Sequence, residues 1–338
     1  MILTNRVLVY RGEYVESTHT IHIAVVDKKG ALLYFCGDPH RLTFPRSAMK
    51  PFQAIPLLET GAKQAFGYSV QDLALSCASH AGEEFHRKHV LAILKRIGLN
   101  EETLQCGTHT PWNIKAYKKL LQEGKDVTPV YHNCSGKHSS MLATAVHMKE
   151  AIHTYREVNH PVQQRILAAI SDICEVPKEF IGLSVDGCGV PVHQLPLDKA
   201  ALGYAKLAKP EGSAQKNHAE ALLEIRNAMM QHPEMVAGTN RFDTDLMKAY
   251  SGKIVAKIGA EAVQCLGLVE KGIGIAIKVE DGSTRAAHVA SMEVLNQLGM
   301  KDERIFDDLS KYVHAPVYNA RKEAIGVIKA DFILQKVF

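Results

Sequence analysis

No stretch of these 338 residues is apolar for the roughly 18–20 positions that a membrane helix needs. No block of Lys and Arg of the kind that binds phosphate backbones is present, and the formal net charge is only +4. Nucleic acid and acidic membrane surfaces are therefore not expected partners. Several motifs are missing as well. Ser135-Gly136-Lys137-His138 is not a phosphate loop, because position 131 is Tyr and His follows the Lys. Gly272-Ile273-Gly274-Ile275 lacks the third glycine of a dinucleotide fingerprint. There is no Gly-x-Ser-x-Gly elbow and no Cys-x-x-Cys pair, so neither that hydrolase signature nor a thioredoxin-type or zinc-ribbon site is indicated. The apolar patch Val7-Leu8-Val9 follows Asn5 and Arg6 and precedes no small-residue cleavage pattern, so a secretory leader is not expected and the cytoplasm is. No internal repeat or low-complexity tract is visible.

What is present is an ordinary globular composition, 46% hydrophobic and 22% charged, in a chain long enough for two lobes or two domains. Seven cysteines make an odd count, which argues against a disulfide framework in a reducing compartment. Most read as small buried apolar side chains.

Strands are expected at residues 6–10, 20–26 and 31–35 as an antiparallel meander, then around 263–268, in a hairpin of 272–279 with 284–286, and at 324–328. Helices are expected at 71–78, 83–97, 161–173 and 290–298, with a polar-faced helical stretch from about 196 to 232. The result is an α+β arrangement. One mixed sheet comes from the N- and C-terminal parts (roughly 1–45 and 250–338), and a helical lobe (roughly 46–249) is inserted between them.

The chemistry gathers around Asn133-Cys134-Ser135-Gly136-Lys137-His138. Apolar Met141, Leu142, Ala145 and Val146 continue at helical spacing, so a helix starts here and stacks Cys134 and Lys137 on one face. A thiol beside an amine reads either as metal ligands or as a nucleophile–base pair. Cys188, between two glycines in Asp186-Gly187-Cys188-Gly189, reads as a thiol held in the open by a tight turn. Ser47 and Lys50 form a Ser-x-x-Lys pair just before Pro51, which is tolerated only in a first helical turn. There a neutral lysine can take the serine proton, while the helix dipole and free N–H groups favour an oxyanion. Glu16, Ser17 and His19 read equally as site lining or surface decoration. His86 and His89, with Glu83 one turn earlier, read as a metal trio or, better, as a solvated helix face.

Taken together, these segments resemble the asparaginase II family, the thermolabile, rhizobial-type L-asparaginases. The resemblance runs through nearly the whole chain. It rests on Val15-Glu16-Ser17-x-His19, Arg46-Ser47-Ala48-Met49-Lys50-Pro51, Ser79-His80-x-Gly82-Glu83-x-x-His86, Cys106-Gly107-x-His109-x-Pro111, the Cys134 segment, Val185 to Pro191, and Lys257-Ile258-Gly259-Ala260-Glu261. It implies hydrolysis of L-asparagine to L-aspartate and ammonia by a homodimer with a fold like serine β-lactamases and glutaminases. It also implies two Ser–Lys pairs, Ser47–Lys50 and Ser79–Lys257, and a zinc site of Cys134, Lys137 and Cys188 with Asp186 beside it. Ser47 is the first choice of nucleophile, with Lys50 as its base, and Ser79 and Lys257 are expected to relay protons or orient the substrate. We place substrate contacts at Glu16, His19, Arg46, His80, Asp186, Gly187 and Arg241. A glutaminase or other Ser–Lys acyl-transfer enzyme, and a non-catalytic zinc- or small-molecule-binding protein, are the competing readings.

Overall fold

The computed structural model describes residues 4–211 and 218–337. The chain divides into two compact units. The first comprises Met1–Ala48, Leu195–Lys209 and Asp245–Phe338; the second comprises Met49–Gln194 and Pro210–Thr244.

The first unit is built on a nine-stranded sheet. Its main path runs Ala315–Tyr318, Ala324–Phe332, Asn5–Arg11, Tyr14–Asp27, Ile273–Val279, Val263–Leu268, Ile254–Gly259. Leu32–Cys36 and Gln335–Lys336 pair beside it. The N- and C-terminal parts thus share one sheet, as expected. Every pairing among the described residues is antiparallel rather than mixed. Where neighbouring strands are consecutive in the chain, as in Asn5–Arg11 with Tyr14–Asp27 and in the run from Ile254 to Val279, short turns join them, and a parallel pair would need a long crossover instead.

Two expectations fail in this unit. The hairpin of 272–279 with 284–286 is not formed, because residues from Thr284 onward belong to the helix Thr284–Gln297. Buried Ala286, Ala287, Val289, Ala290, Val294 and Leu295 recur at helical spacing, so the tertiary structure follows the 3.6-residue period past the Asp281–Ser283 turn. The stretch of 196–232 is also not one polar-faced run. Leu197–Ala208 is a helix with most of its residues buried, Ala219–Gln231 is another, and the part of that stretch at 212–217 lies outside the described residues. The first helix is buried because Gly267 and Gly274, opposite one another on adjacent strands, leave its backbone room. A Cβ on Gly274 would lie 1.8 Å from the Ala201 carbonyl, and one on Gly267 would lie 2.7 Å from that of Tyr204. Small residues at 200, 201, 205 and 208 complete the close contact.

The second unit is helical. Its main helices are Val70–Ser76, Glu84–Arg96, Ile114–Gln122, Ser135–His147, Pro161–Cys174 and Ala219–Gln231. Local signals account for the ends. Ser69 and Asp72 close a capping box, and Pro161 occupies the first turn of its helix. Buried Asp72 also receives bonds from His89 and Arg96, both at 2.7 Å, which ties two helices together. One short hairpin, Gly182–Val185 with Pro191–Pro196, turns through Asp186–Val190. No helix among the described residues is long and apolar enough to cross a membrane.

Candidate active site

The helix Ser135–His147 organises the site. Its residues 135–145 are all buried, and Cys134 caps its start. Gly136 permits this, because it packs against the helix Val70–Ser76 where a Cβ would lie 2.4 Å from the Leu75 carbonyl. Cys134, two positions before that glycine, and Lys137, directly after it, therefore enter the interior.

Lys137 Nζ donates to Cys188 Sγ at 3.1 Å. Cys188 is 2% exposed, so the flanking glycines do not put its thiol in the open. They let the Asp186–Val190 turn fold tightly, with Gly189 at φ +83°, and this delivers the sulfur inward to the amine. Asp186 Oδ2 lies 3.7 Å from that sulfur. A hydrogen bond from the Cys134 thiol and the Lys137 charge hold Cys188 far below the ordinary thiol range, against the cost of burial. The same hydrogen bond, together with burial, pushes Cys134 well up. Burial pulls the Lys137 amine down, but the Cys188 and Cys134 sulfurs and Asp186 outweigh it and leave the group above its usual value. The arrangement is a buried ammonium–thiolate pair with a neutral thiol alongside.

Lys50 reaches this cluster from the short helix Lys50–Gln53, with Pro51 in its first turn. The helix start expected at Ser47 is instead a 3-10 turn, Arg46–Met49, ahead of it. Lys50 is fully buried, and its amine donates to the Ala78 carbonyl, to Ser79 Oγ at 2.9 Å and to Cys134 Sγ at 3.2 Å. Ser79, Lys50, Cys134, Cys188 and Lys137 thus form a continuous chain of contacts inside the second unit.

His80 locks the Ser79 segment to the Cys134 segment. Ser135 Oγ donates to the Val130 carbonyl at 3.0 Å, so its contact with His80 Nε2 at 2.8 Å is one that it accepts. His80 Nδ1 accepts from the Gly82 N–H. The ring is therefore neutral with its proton on Nε2, in keeping with burial that drives its pKa well down. Both nitrogens are engaged within the protein. His80 N also donates to the Asn133 carbonyl and Ser79 N to that of Val236.

Gly187 is exposed in the turn, its N–H bonded to Asp186. Arg241 lies over the Trp112 ring, 4.8 Å from its centroid, on a cavity wall that does not include the Ser79–Cys188 cluster. Ser47, Arg46, Lys257, Glu16 and His19 belong to the first unit. Lys257 is buried on the strand Ile254–Gly259 and donates to the Ile258 carbonyl at 2.6 Å. The end of that strand abuts the Ser47 loop: a Cβ on Gly259 would lie 2.0 Å from the Pro45 carbonyl. Glu16 is exposed and pairs with Arg11 at 2.8 Å. His19 is buried, with Nδ1 2.6 Å from Asp281 and Nε2 without a hydrogen-bond partner among the described residues. His86 is buried and bonded to the Glu234 carbonyl, and His89 pairs with Asp72, so the first is no solvated face residue and the two do not share a ligand.

Among the described residues, no three His, Cys, Asp or Glu side chains are grouped to hold a metal ion. The set that the resemblance implies has a lysine, Lys137, as its third member. The sequence did not single out His138, although it stands next to Lys137. Its Nδ1 is 2.6 Å from the Tyr155 hydroxyl, and its ring interacts with Cys188 and helps to lower the thiol's pKa. The nearness of Lys50 to Ser79, 29 positions away, was likewise invisible without the fold.

The L-asparaginase II family model matches residues 7–330. The chain belongs to the L-asparaginase II family. This makes it an L-asparaginase-type amidohydrolase acting on a small molecule. No curated protein matches it in sequence. Solved structures similar to it include a β-lactamase from Mycobacterium bovis (9% identity, 82% of this chain, 94% of that chain, TM-score 0.43). Others are a putative β-lactamase from Bacteroides dorei (11%, 82%, 93%, TM-score 0.42) and a D-alanine carboxypeptidase from Burkholderia cenocepacia (15%, 83%, 93%, TM-score 0.39). Likenesses this low carry no argument about its activity.

Proposed function

We propose that this L-asparaginase II family member hydrolyses L-asparagine to L-aspartate and ammonia, with a buried serine as nucleophile and Lys50 as its proton acceptor. One observation carries the reading: Lys50 Nζ stands 2.9 Å from Ser79 Oγ, with both residues buried. An amide is a weak electrophile with a poor leaving group, so attack needs a hydroxyl relieved of its proton as the C–O bond forms. Lysine ordinarily holds its proton to a pKa of about 10.4 and serves as a base only as the neutral amine. In the proposed course, Ser79 Oγ adds to the side-chain amide carbon and its proton passes to Lys50. Lys50 then returns the proton to the departing ammonia. Water attacks the resulting ester, again through Lys50, and frees L-aspartate.

Ser47 is the second candidate for the attack. The close approach of the Lys257-bearing strand, at Gly259, to the loop that carries Ser47 favours it.

Cys134, Lys137 and Cys188 would hold a zinc ion. Two sulfur donors and one nitrogen donor in mutual contact suit its preference for tetrahedral N/S sites, and they leave a fourth position open. Lysine would bind only as the neutral amine, so metal and proton compete for Lys137. When bound, the ion supplies a Lewis acid that orients or polarises the substrate. Family membership also supports a homodimer.

The test is ammonia release from L-asparagine and L-glutamine by the wild type, Ser79→Ala and Ser47→Ala. We expect asparagine turnover that Ser79→Ala lowers by at least about a hundredfold. Full activity in Ser79→Ala with loss in Ser47→Ala would move the nucleophile to Ser47. No ammonia from asparagine would overturn the proposed reaction, and stronger release from glutamine would favour a glutaminase.

A further inference from the structure

Within the second unit, the helices Glu84–Arg96 and Ile114–Gln122 and the segment 239–241 line a cavity of about 1010 Å³. Six cations border it: Arg87, Lys88, Lys115, Lys119, Lys125 and Arg241. Its three carboxylates are all engaged. Glu84 pairs with Lys88, and Glu123 pairs with Lys125 and Lys119. Glu83 accepts from Asn113 and from both the N–H and the hydroxyl of Thr239. Arg87, Lys115 and Arg241 are left with no carboxylate partner among the described residues.

Both guanidiniums stack on aromatic rings. Arg87 lies 4.4 Å from the centroid of the Tyr131 ring and donates Nη1 to its hydroxyl, and its Nε is buried with no hydrogen-bond partner among the described residues. Arg241 lies over Trp112. An aromatic ring under a guanidinium leaves the N–H edge free for a planar acceptor and limits the side-chain entropy lost on binding. The acceptor that matches such a fork is a carboxylate, bound through two parallel hydrogen bonds. The Arg241 fork, the charge of Arg87, Lys115 on the same wall and the apolar Trp112, Phe85 and Leu91 suit two carboxylates on a short carbon frame.

We propose that this cavity is a binding site for a small dicarboxylate, separate from the Ser79–Cys188 cluster. L-Aspartate, the product of the reaction proposed above, is of this class, but the site does not depend on that reaction.

The test is isothermal titration calorimetry of the full-length protein at low salt with succinate, which has no amide to hydrolyse. Acetate and inorganic phosphate serve as comparators, and Arg87→Gln and Lys115→Gln as variants. Near-UV circular dichroism checks their fold. We expect saturable one-to-one binding of succinate, at least about tenfold weaker binding of acetate and phosphate, about tenfold weakening in Arg87→Gln and about threefold in Lys115→Gln. Lys115 is exposed, so its replacement reads the site even if Arg87→Gln does not fold. The proposal is overturned by the absence of saturable succinate heat, by wild-type affinity in a folded variant, or by phosphate binding as tightly as succinate.

Discussion

Replacing Gly136 by Ala sets two effects of opposite sign against each other. In an exposed helix, alanine is favoured over glycine by about 1 kcal/mol. Here the added methyl would lie 2.4 Å from the Leu75 carbonyl oxygen and 2.7 Å from Leu75 Cγ. The oxygen cannot swing aside cheaply, because it is backbone and accepts from the Ala78 N–H at 3.0 Å. Ala78 is also the residue whose carbonyl receives Lys50 and which precedes Ser79. Overpacking a close-packed interior costs about 1–3 kcal/mol, and contact with a fixed backbone atom belongs at the upper end. The expected net loss is about 2 kcal/mol, once the helix preference is taken off. The strain falls between the segment bearing Cys134 and Lys137 and the one bearing Ser79, so turnover should fall as well. Urea unfolding followed by far-UV circular dichroism, alongside ammonia release, measures both. A Gly136→Ala protein as stable as the wild type, or more so, would refute the packing argument.

Three further outcomes follow. Burial pushes His86 and His193 down to about 4, so both stay neutral in the folded protein while their unfolded counterparts protonate near 6.5. Their stabilising contribution is complete above that value and is lost as pH falls from about 6.5 to 4, at up to about 1.4 kcal/mol per pH unit for each. Urea midpoints that do not change between pH 7 and pH 5 would contradict this. Lys50→Met keeps the length of the side chain but removes the donor to Ser79, and ammonia release should drop at least about a hundredfold; retained turnover would show that another group takes the proton. Asp72→Asn weakens the buried bonds from His89 and Arg96 and the capping box; a loss of about 2 kcal/mol in urea unfolding is expected, and no loss would show the cluster to be dispensable.

Much of the fold was legible where local signals agree with burial. The helix after Cys134 followed from its apolar spacing, and the paired terminal strands from β-branched runs. Prediction failed where one pattern serves two structures. Thr284 to Ala286 reads as a strand for three residues and as a helix over fourteen. The stretch 196–232 reads as polar-faced as a whole, and only the two cross-strand glycines that receive 197–208 show that part of it to be buried. Cys188 shows the same limit on a smaller scale. The glycines beside it were visible, but a flexible turn can aim a thiol inward as easily as outward.

The amino-acid order alone was enough to reveal which chemical groups this protein carries, because Ser-x-x-Lys, the cysteine–lysine spacing and the family's short motifs are local patterns. The partners of those groups are not local. Lys50 meets Ser79 and Cys134, at separations of 29 and 84 residues, and Lys137 meets Cys188 across 51. Such contacts form only when helices pack at backbone distance, as Gly136 allows against Leu75, and sequence spacing carries no record of that packing.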